Sequence, residues 1–258
     1  MIGLILGTSE GKKILSLLNK FTEDIFVSTA TEYGGELLKD YKYKVLNTKP
    51  LDLDGLEEGI IKNKINILVD ASHPYAEVVT KNALLVCQKL NITYARYERP
   101  RTFLSEDKHV IRVKDYDELY LKIRDVKGTI LNTTGSKNID KFIEMNLNNR
   151  IVHRVLPSVT VMEKCFSLGV KTEDIIAIKG PISYELNCGF IKEYDAKAII
   201  LKDSGVQGGT EDKIRAAIDM DIIAIVIDRK NQCTRNAFNS EEAVANFVMG
   251  FLLGKLKG

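Results

Sequence analysis

The sequence predicts an α/β fold with mainly parallel sheets, in two similar halves that leave a cleft between them. Three observations carry this reading. Short apolar strand-like runs alternate with segments of helical periodicity almost from end to end. Several runs lead through glycine, serine or threonine straight into a helix, as strands of a parallel sheet covered by helices do. One charged stretch with a proline, RYERPRTFLSEDKH at residues 96 to 109, interrupts the rhythm. The domain boundary is placed there, giving domains over 1–100 and 101–258.

Ile2 to Leu6 reads as the first strand, and Ile14, Leu17, Leu18 and Phe21 then share one helical face. Ile25 to Thr29 and Tyr43 to Leu46 are further strands, followed by a helix near 52 to 62. Ile65 to Val69 is a fourth strand, with its charged and aromatic sequel emerging at the carboxyl end. Val79, Ala83, Val86, Cys87 and Leu90 fall at helical spacing before a strand near Ile92 to Arg96. The second half repeats the alternation, with strands near 129 to 133, 151 to 155, 174 to 178, 197 to 201 and 222 to 227. Its helices are expected near 137 to 147, 183 to 193, 210 to 219 and 241 to 252. Ser240 is an N-cap for the last, with Glu241 and Glu242 in the favourable first turn.

With 258 residues, 45% hydrophobic and 28% charged, the chain has the composition of a soluble globular protein able to bury a sizeable core. The net charge of +2, without a sustained basic block, speaks against nucleic acid as a partner. No stretch approaches the roughly 20 apolar residues of a membrane span, and the start is too short an apolar run for a secretory leader. Cys87, Cys165, Cys188 and Cys233 are widely spaced, with no CxxC pair, and read as free thiols in a reducing compartment. The expected location is the cytoplasm, and the expected state a monomer.

The first chemical signal is LILGTSEGKK, where a strand runs into Gly7, Thr8, Ser9 and Gly11 and then a helix. Glycine admits close approach of the backbone to a ligand, and a helix N-terminus offers N–H groups to phosphate. The spacing is neither GxGxxG nor a Walker loop, so a plain strand-to-helix turn stands beside a dinucleotide turn. At the second strand end, Thr29 and Thr31 are candidates for ribose or phosphate, and no arginine stands nearby for a 2′-phosphate. In DASHPY the proline restrains the path of Ser72 and His73. His73 can donate, accept or carry a proton, and Tyr75 offers a ring and a hydroxyl.

In the second half, KDSGVQGGT places Lys202, Asp203 and Ser204 at a strand end and leaves the backbone of Gly208 and Gly209 open to an anion before a Thr210 helix cap. TTGSKN repeats the device with Thr134, Ser136 and Lys137, while Arg154 in RVLPS and Lys179 in IKGPIS add cations. No G-x-S-x-G elbow and no carboxylate pair for glycoside chemistry can be picked out. His109 and His153 lie outside any metal-ligand spacing and read as local hydrogen-bonding or surface residues. The pattern points to an anionic cofactor with an anionic substrate.

LILGTSEG, DASHPYA, YARYERP, TTGSKN, RVLP, KGPISYELN and KDSGVQGGTEDKIRAA occur in order over roughly residues 2 to 219. In this ordered set the chain resembles the precorrin-6A reductases of cobalamin biosynthesis. The resemblance implies two Rossmann-like domains and reduction of one double bond of a tetrapyrrole-derived macrocycle by NADPH or NADH, with hydride to C19 and a proton to C18. Gly7 to Gly11 would then lie near the dinucleotide, and Thr29 and Thr31 near its adenosine ribose. The loops around His73, Arg99, Thr134, Ser136, Lys179 and Lys202 would face the cleft. The family favours glutamine before Gly-Pro, and this chain has Lys179 there. His73, Tyr75 or Asp203 is expected to govern the proton. Cobalt, where present, would arrive inside the substrate. The competing readings are an α/β methyl- or glycosyl-transferase and a non-enzymatic nucleotide-binding protein.

Overall fold

The computed structural model describes residues 1–7, 10–100, 107–205, 208–229 and 236–254. Thr8, Ser9 and Cys233, singled out in the sequence, lie outside these. In chain order the first elements are β1 Ile2–Leu6, α1 Glu10–Leu18, β2 Ile25–Ser28, α2 Glu32–Glu36, β3 Val45–Asn47, α3 Leu53–Lys62, β4 Ile67–Ala71, α4 Glu77–Leu90 and β5 Thr93–Tyr97. Next come β6 Val110–Val113, α5 Tyr116–Ile123, β7 Thr129–Asn132, a 3-10 turn Ser136–Asn138, α6 Ile139–Glu144, β8 Ile151–Val155 and α7 Val159–Ser167. The chain continues through β9 Ile175–Ala177, α8 Tyr184–Glu193, β10 Ala196–Lys202, α9 Thr210–Asp219, β11 Ile223–Ile227, β12 Ala237–Phe238 and α10 Glu241–Leu252.

Two compact units result: Met1–Pro100 with Asn231–Gly258, and Arg101–Lys230. Each holds a six-stranded sheet, in order β12-β5-β4-β1-β2-β3 and β6-β11-β10-β7-β8-β9. The strand pairs are parallel. Setting β1 against β7, β2 against β8 and so on superposes the two orders, and both units are Rossmann-like. In each, the central strand is flanked by the second and the fourth, so the connections diverge at its carboxyl end and open a crevice there.

Successive residues of a strand face opposite ways, and the two cores follow that period of two. In the first unit Leu4, Val27, Ile67 and Val69 face α1 and α10, whereas Ile5, Phe26 and Leu68 face α3 and α4. In the second, Leu131, Val152 and Ile199 face α8 and α9, whereas Ile130, Ala198 and Ile200 face α5 and α6. Strands buried on both faces explain why the sequence reads as apolar runs instead of alternating ones.

The structure corrects four expectations. Residues beyond 230 do not extend the second domain: β12 pairs with β5, and Val244 and Val248 of α10 complete the core around Ile14 and Leu18. Asp70 does not emerge past β4 but lies inside it, fully enclosed. Thr210 is not the α9 cap, because Gly209 holds that position at φ 66°, which favours glycine. The helix expected over 137–147 is shorter, a 3-10 turn running into α6. Ser240 does cap α10, accepting from Ala243 N at 3.1 Å.

A fragment ending at Pro100 lacks β12 and α10 and exposes the α1 face that they cover. It is expected to show no cooperative thermal transition by circular dichroism, and a sharp one would contradict the unit composition. His109 ties β6 to the turn before β11, its Nε2 at 2.9 Å from Asp221 Oδ1 and its Nδ1 at 2.7 Å from Asp107 Oδ1. These two carboxylates raise its pKa above the ordinary value, Asp221 foremost. The stabilisation is therefore full below the unfolded pKa of about 6.5 and declines as pH rises through the higher folded value. Urea midpoints taken from pH 6 upward should show this decline in the native chain and a flatter profile in His109→Gln.

Candidate functional site

At the carboxyl ends of β1, β2 and β4, and beneath the residues after β3, the first unit encloses a cavity of about 370 Å³. Its wall includes Gly7, Thr29, Thr31, Lys49, Ser72 and His73. Gly7 N donates to Ala71 O at 3.0 Å, which draws the turn against β4. A Cβ at Gly7 would stand 3.3 Å from Ala71 O and 3.4 Å from His73 N, a tight fit against the end of β4. Gly11 serves packing instead: a Cβ there would meet Leu6 Cδ2 at 2.8 Å, and its absence lets α1 close on β1.

Thr31 Oγ1 accepts from Gly34 N at 3.1 Å and caps α2, while Thr29 Oγ1 donates to Thr31 O at 3.0 Å. Both expected threonines therefore line the cavity and also hold its α2 wall. Lys49 was missed in the sequence, where attention fell on arginine; an exposed cation in NTKP, two residues past β3, was the available signal. His73 is exposed, and its Nδ1 accepts from Tyr75 N at 3.2 Å. The neutral ring then carries its proton on Nε2. The His73 and Tyr75 ring centroids are 6.0 Å apart.

Beneath His73 lies a polar network that sequence reading missed. The Asp70 carboxylate, 0% exposed, pairs with Arg96 Nη1 at 2.6 Å and accepts from Ser72 N at 2.9 Å and from the Tyr94 hydroxyl at 2.9 Å. Arg96 also donates to Ser72 Oγ at 3.0 Å, fixing the residue before His73. Burial, with Asp70 adding to it, pushes the nearby Cys87 thiol up to about 12 and keeps it protonated. Cys87, Cys165 and Cys188 are free thiols. Arg99, next along the chain, is also buried.

The second unit carries its polar residues at the same edge of its own sheet. Asn132 Oδ1 accepts from the amide and hydroxyl of Thr134 at 3.0 and 2.7 Å, and Asn132 Nδ2 donates to His153 Nδ1 at 2.9 Å. Burial lowers the His153 pKa to about 4, so it acts as a neutral local partner. Lys202 Nζ donates to Thr134 O at 3.1 Å, joining two expected substrate residues. Ser136 is partly exposed and Lys137 exposed. Gly209 faces Pro181, whose β-carbon would lie 3.1 Å from an added Cβ, so the KGP and GG loops meet. The Gly180–Pro181 bond there is cis, and Lys179 before it is exposed.

Asp203, placed at the charged strand end by the sequence, is enclosed there. It is 1% exposed, accepts from Gly205 N at 3.3 Å and pairs with Arg229 Nη2 at 3.3 Å, while Arg229 Nε donates to its carbonyl. That geometry suits a clamp on the loop. Ser204 N donates to Thr210 Oγ1 at 3.0 Å, so Thr210 braces the same loop from inside α9. Arg154 Nη1 donates to Asn187 Oδ1 at 3.0 Å, between β8 and α8.

Removing the charge of Asp70 leaves the Arg96 guanidinium enclosed without its counter-ion. Asp70→Asn should therefore cost about 3–5 kcal/mol of stability in urea titrations. Tyr94→Phe, which leaves the ion pair intact, should cost about 1–3 kcal/mol. Equal small losses in both would contradict the assigned network.

Comparison with known proteins agrees with this architecture. The precorrin-6x reductase CbiJ/CobK family model matches residues 1–249. The cobalt-precorrin-6A reductase of Methanocaldococcus jannaschii is 37% identical over 85% of this chain and 84% of its own. That of Priestia megaterium is 33% identical over 89% and 90%. The solved structure of CobK precorrin-6A reductase, 16% identical, superposes with a TM-score of 0.75 over 98% of this chain and 96% of its own, which shows a shared fold. The chain belongs to the precorrin-6x reductase CbiJ/CobK family.

Proposed function

We propose that the chain reduces precorrin-6A, in its cobalt-containing or metal-free form, to precorrin-6B in cobalamin biosynthesis, using NADPH or NADH. The observation that carries this reading is the cavity under the Gly7 turn, at the strand-order switch point of a Rossmann-like sheet. Its fit to a dinucleotide rests on the open Gly7 backbone, the Thr29–Thr31 wall and the cationic rim at Lys49. When bound, the reduced nicotinamide supplies the hydride that goes to C19, and a proton to C18 completes the addition of two hydrogens.

The chain's own work is to hold and orient. Gly7 admits the diphosphate to the backbone, and Thr29 and Thr31 face the adenosine end. His73 stands over the rigid Asp70–Arg96–Ser72 network, and either His73 or Tyr75 is our choice for governing the proton. Asp203 is assigned to the loop clamp, because its carboxylate is enclosed against Arg229. Arg99, Thr134, Ser136, Lys137, Lys179, Lys202, Ser204, Gly208 and Gly209 are proposed substrate contacts, since a macrocycle bearing many carboxylates needs cations and N–H donors. The described helices include none long and apolar enough to cross a membrane, and we place the enzyme in the cytoplasm.

The test is anaerobic incubation of cobalt-precorrin-6A and metal-free precorrin-6A, each with NADH and NADPH, following product mass. A gain of two hydrogens on either macrocycle is expected; no gain with folded protein would overturn the reading. Gly7→Val should raise the nucleotide KM at least tenfold by filling the turn. His73→Ala and Tyr75→Phe should separate in single-turnover rate, the proton-governing residue losing about 10²-fold or more. Asp203→Asn should lose stability first.

A further inference from the structure

The duplicated plan allows the two units to be compared place by place. Leu6 pairs with Ala71 in the first sheet, and Asn132 with Ile200 in the second. One residue on, Gly7 N donates to Ala71 O and Thr133 N to Ile200 O, so Asn132 holds the place of Leu6. By the same register Arg154 holds the place of Ala30, since Ile5 pairs with Ser28 and Leu131 with Val152. Beside Ala30 the first unit opens into its cavity of about 370 Å³. The second retains about 10 Å³ beside Arg154, room for about one water, so the surface within reach of a ligand is the strand-end turn itself.

Asn132 is fully enclosed at the end of β7, and His153, opposite it on β8, is 2% exposed. A leucine satisfies the same place in the first unit, so the fold alone does not call for an amide in this core. The partners orient that amide. Thr134 N can only donate, so Oδ1 faces it at 3.0 Å and also accepts from the Thr134 hydroxyl at 2.7 Å. Nδ2 then faces His153 Nδ1 at 2.9 Å, which accepts in the neutral ring. Lys202 holds the Thr134 carbonyl from β10, and Tyr116 holds the far end of the turn, its hydroxyl accepting from Asn138 Nδ2 at 2.9 Å. Between these anchors Gly135 stands at φ 83°, with nothing within 4 Å of an added Cβ. Ser136 and Lys137 follow, and among the described residues neither the Ser136 hydroxyl nor the Lys137 ammonium has a protein partner. A backbone held at both ends thus presents a hydroxyl and a cation in succession at the carboxyl edge of the central strand, where ligands of such sheets bind.

We propose that Asn132 is a positioning residue for the reductase substrate, fixing the Thr134–Asn138 turn so that Ser136 and Lys137 receive one carboxylate of the macrocycle. The inference rests on the reductase reading for the identity of the ligand. Asn132 is enclosed and touches no substrate; it acts through Thr134. His153 is the second member of the device, since its Nδ1 keeps the Asn132 amide from turning over. The gain is preorganisation: a hydroxyl and an ammonium on a fixed backbone lose less freedom on binding than the same groups on a loose loop.

Asn132→Leu, which installs the residue of the sister unit, tests it together with Asn132→Asp and Lys137→Met. Leucine removes the hold on Thr134, and aspartate keeps an acceptor in the same place. Asn132→Leu should raise the KM for the macrocycle that the native chain reduces about tenfold or more, with kcat and the nucleotide KM changed less than about threefold. Asn132→Asp should keep the macrocycle KM within about threefold of native while melting at a lower temperature, because it buries a charge. A merely structural asparagine would lower the melting temperature in both variants and leave the macrocycle KM alone in both. Lys137→Met should raise the same KM in the native background and add little in the Asn132→Leu background, since the two act through one turn. Additive effects, an unchanged macrocycle KM in Asn132→Leu, or equal rises in the leucine and aspartate variants would each overturn the proposal. Asn132→Ala gives the same readouts should the leucine variant fail to fold. Reduction of neither macrocycle by the native chain overturns the function reading and this inference with it; reduction accompanied by any of those contrary results overturns this inference alone.

Discussion

The ion pair between Asp70 and Arg96, closed from water at 2.6 Å, underlies the geometry of the first unit's carboxyl edge. Arg96 sits on the neighbouring strand, and its guanidinium also reaches Ser72, so the pair fixes both the end of β4 and the first step of the loop. A buried pair of this kind gives little net stability compared with apolar packing, but losing one partner is expensive. Its effect is therefore positional. Ser72 is locked, His73 follows it, and the Pro74 ring restrains the exit, so the cavity wall facing Gly7 is set before any ligand enters. Preorganisation of this sort lowers the ordering cost of binding.

The fold was legible in the sequence to the extent that it is local. Strands buried on both faces announce themselves as apolar runs, and Ile2–Leu6, Ile151–Val155 and α10 stand where their patterns placed them. Elements that lean on tertiary partners were not visible. β12 is two residues long and forms only because β5 offers an edge, so the return of the chain to the first unit left no periodic trace. Turn chemistry likewise revealed Gly7 and His73 but not Arg96, which acts 26 residues from Asp70 through strand pairing. Lys213 carried a signal that was overlooked. Thr210, Lys213, Ile214 and Ala217 recur at helical spacing and all are buried, so a lysine occupies the apolar stripe of α9. A charge on a core-facing stripe is a conflict between local pattern and fold, and such conflicts concentrate at functional sites.

The two units complete their sheets differently. Each orders five strands as a Rossmann-like sheet; the second adds β6, from its own start, beside β11, whereas the first adds β12, from beyond the second unit, beside β5. The first unit therefore closes only when the last segment of the chain has been made. α10 brings Val244 and Val248 to the α1 face, and its absence would leave that face of the sheet half covered. Contacts so distant in sequence slow folding relative to local ones, because the loop they close must be ordered before the contact rewards it.

What separates the roles of the two carboxyl edges is the dielectric in which their charges act. Exposed cations such as Lys137 and Lys179 attract a polyanion over a Debye length of about 8 Å and speed encounter, yet each adds little to a bound complex. Enclosed charges are different, since an unpaired one is costly and a paired one is held firmly. The first unit pairs its buried carboxylate internally, with Arg96, and its cavity stays open beside Ala30, with the exposed Lys49 at its wall. In the second, Arg154 donates to Asn187 Oδ1 and the buried Lys213 to Gly208 O, and the equivalent space is nearly closed. At equivalent places the first unit has alanine beside an open cavity and the second has arginine beside closed packing.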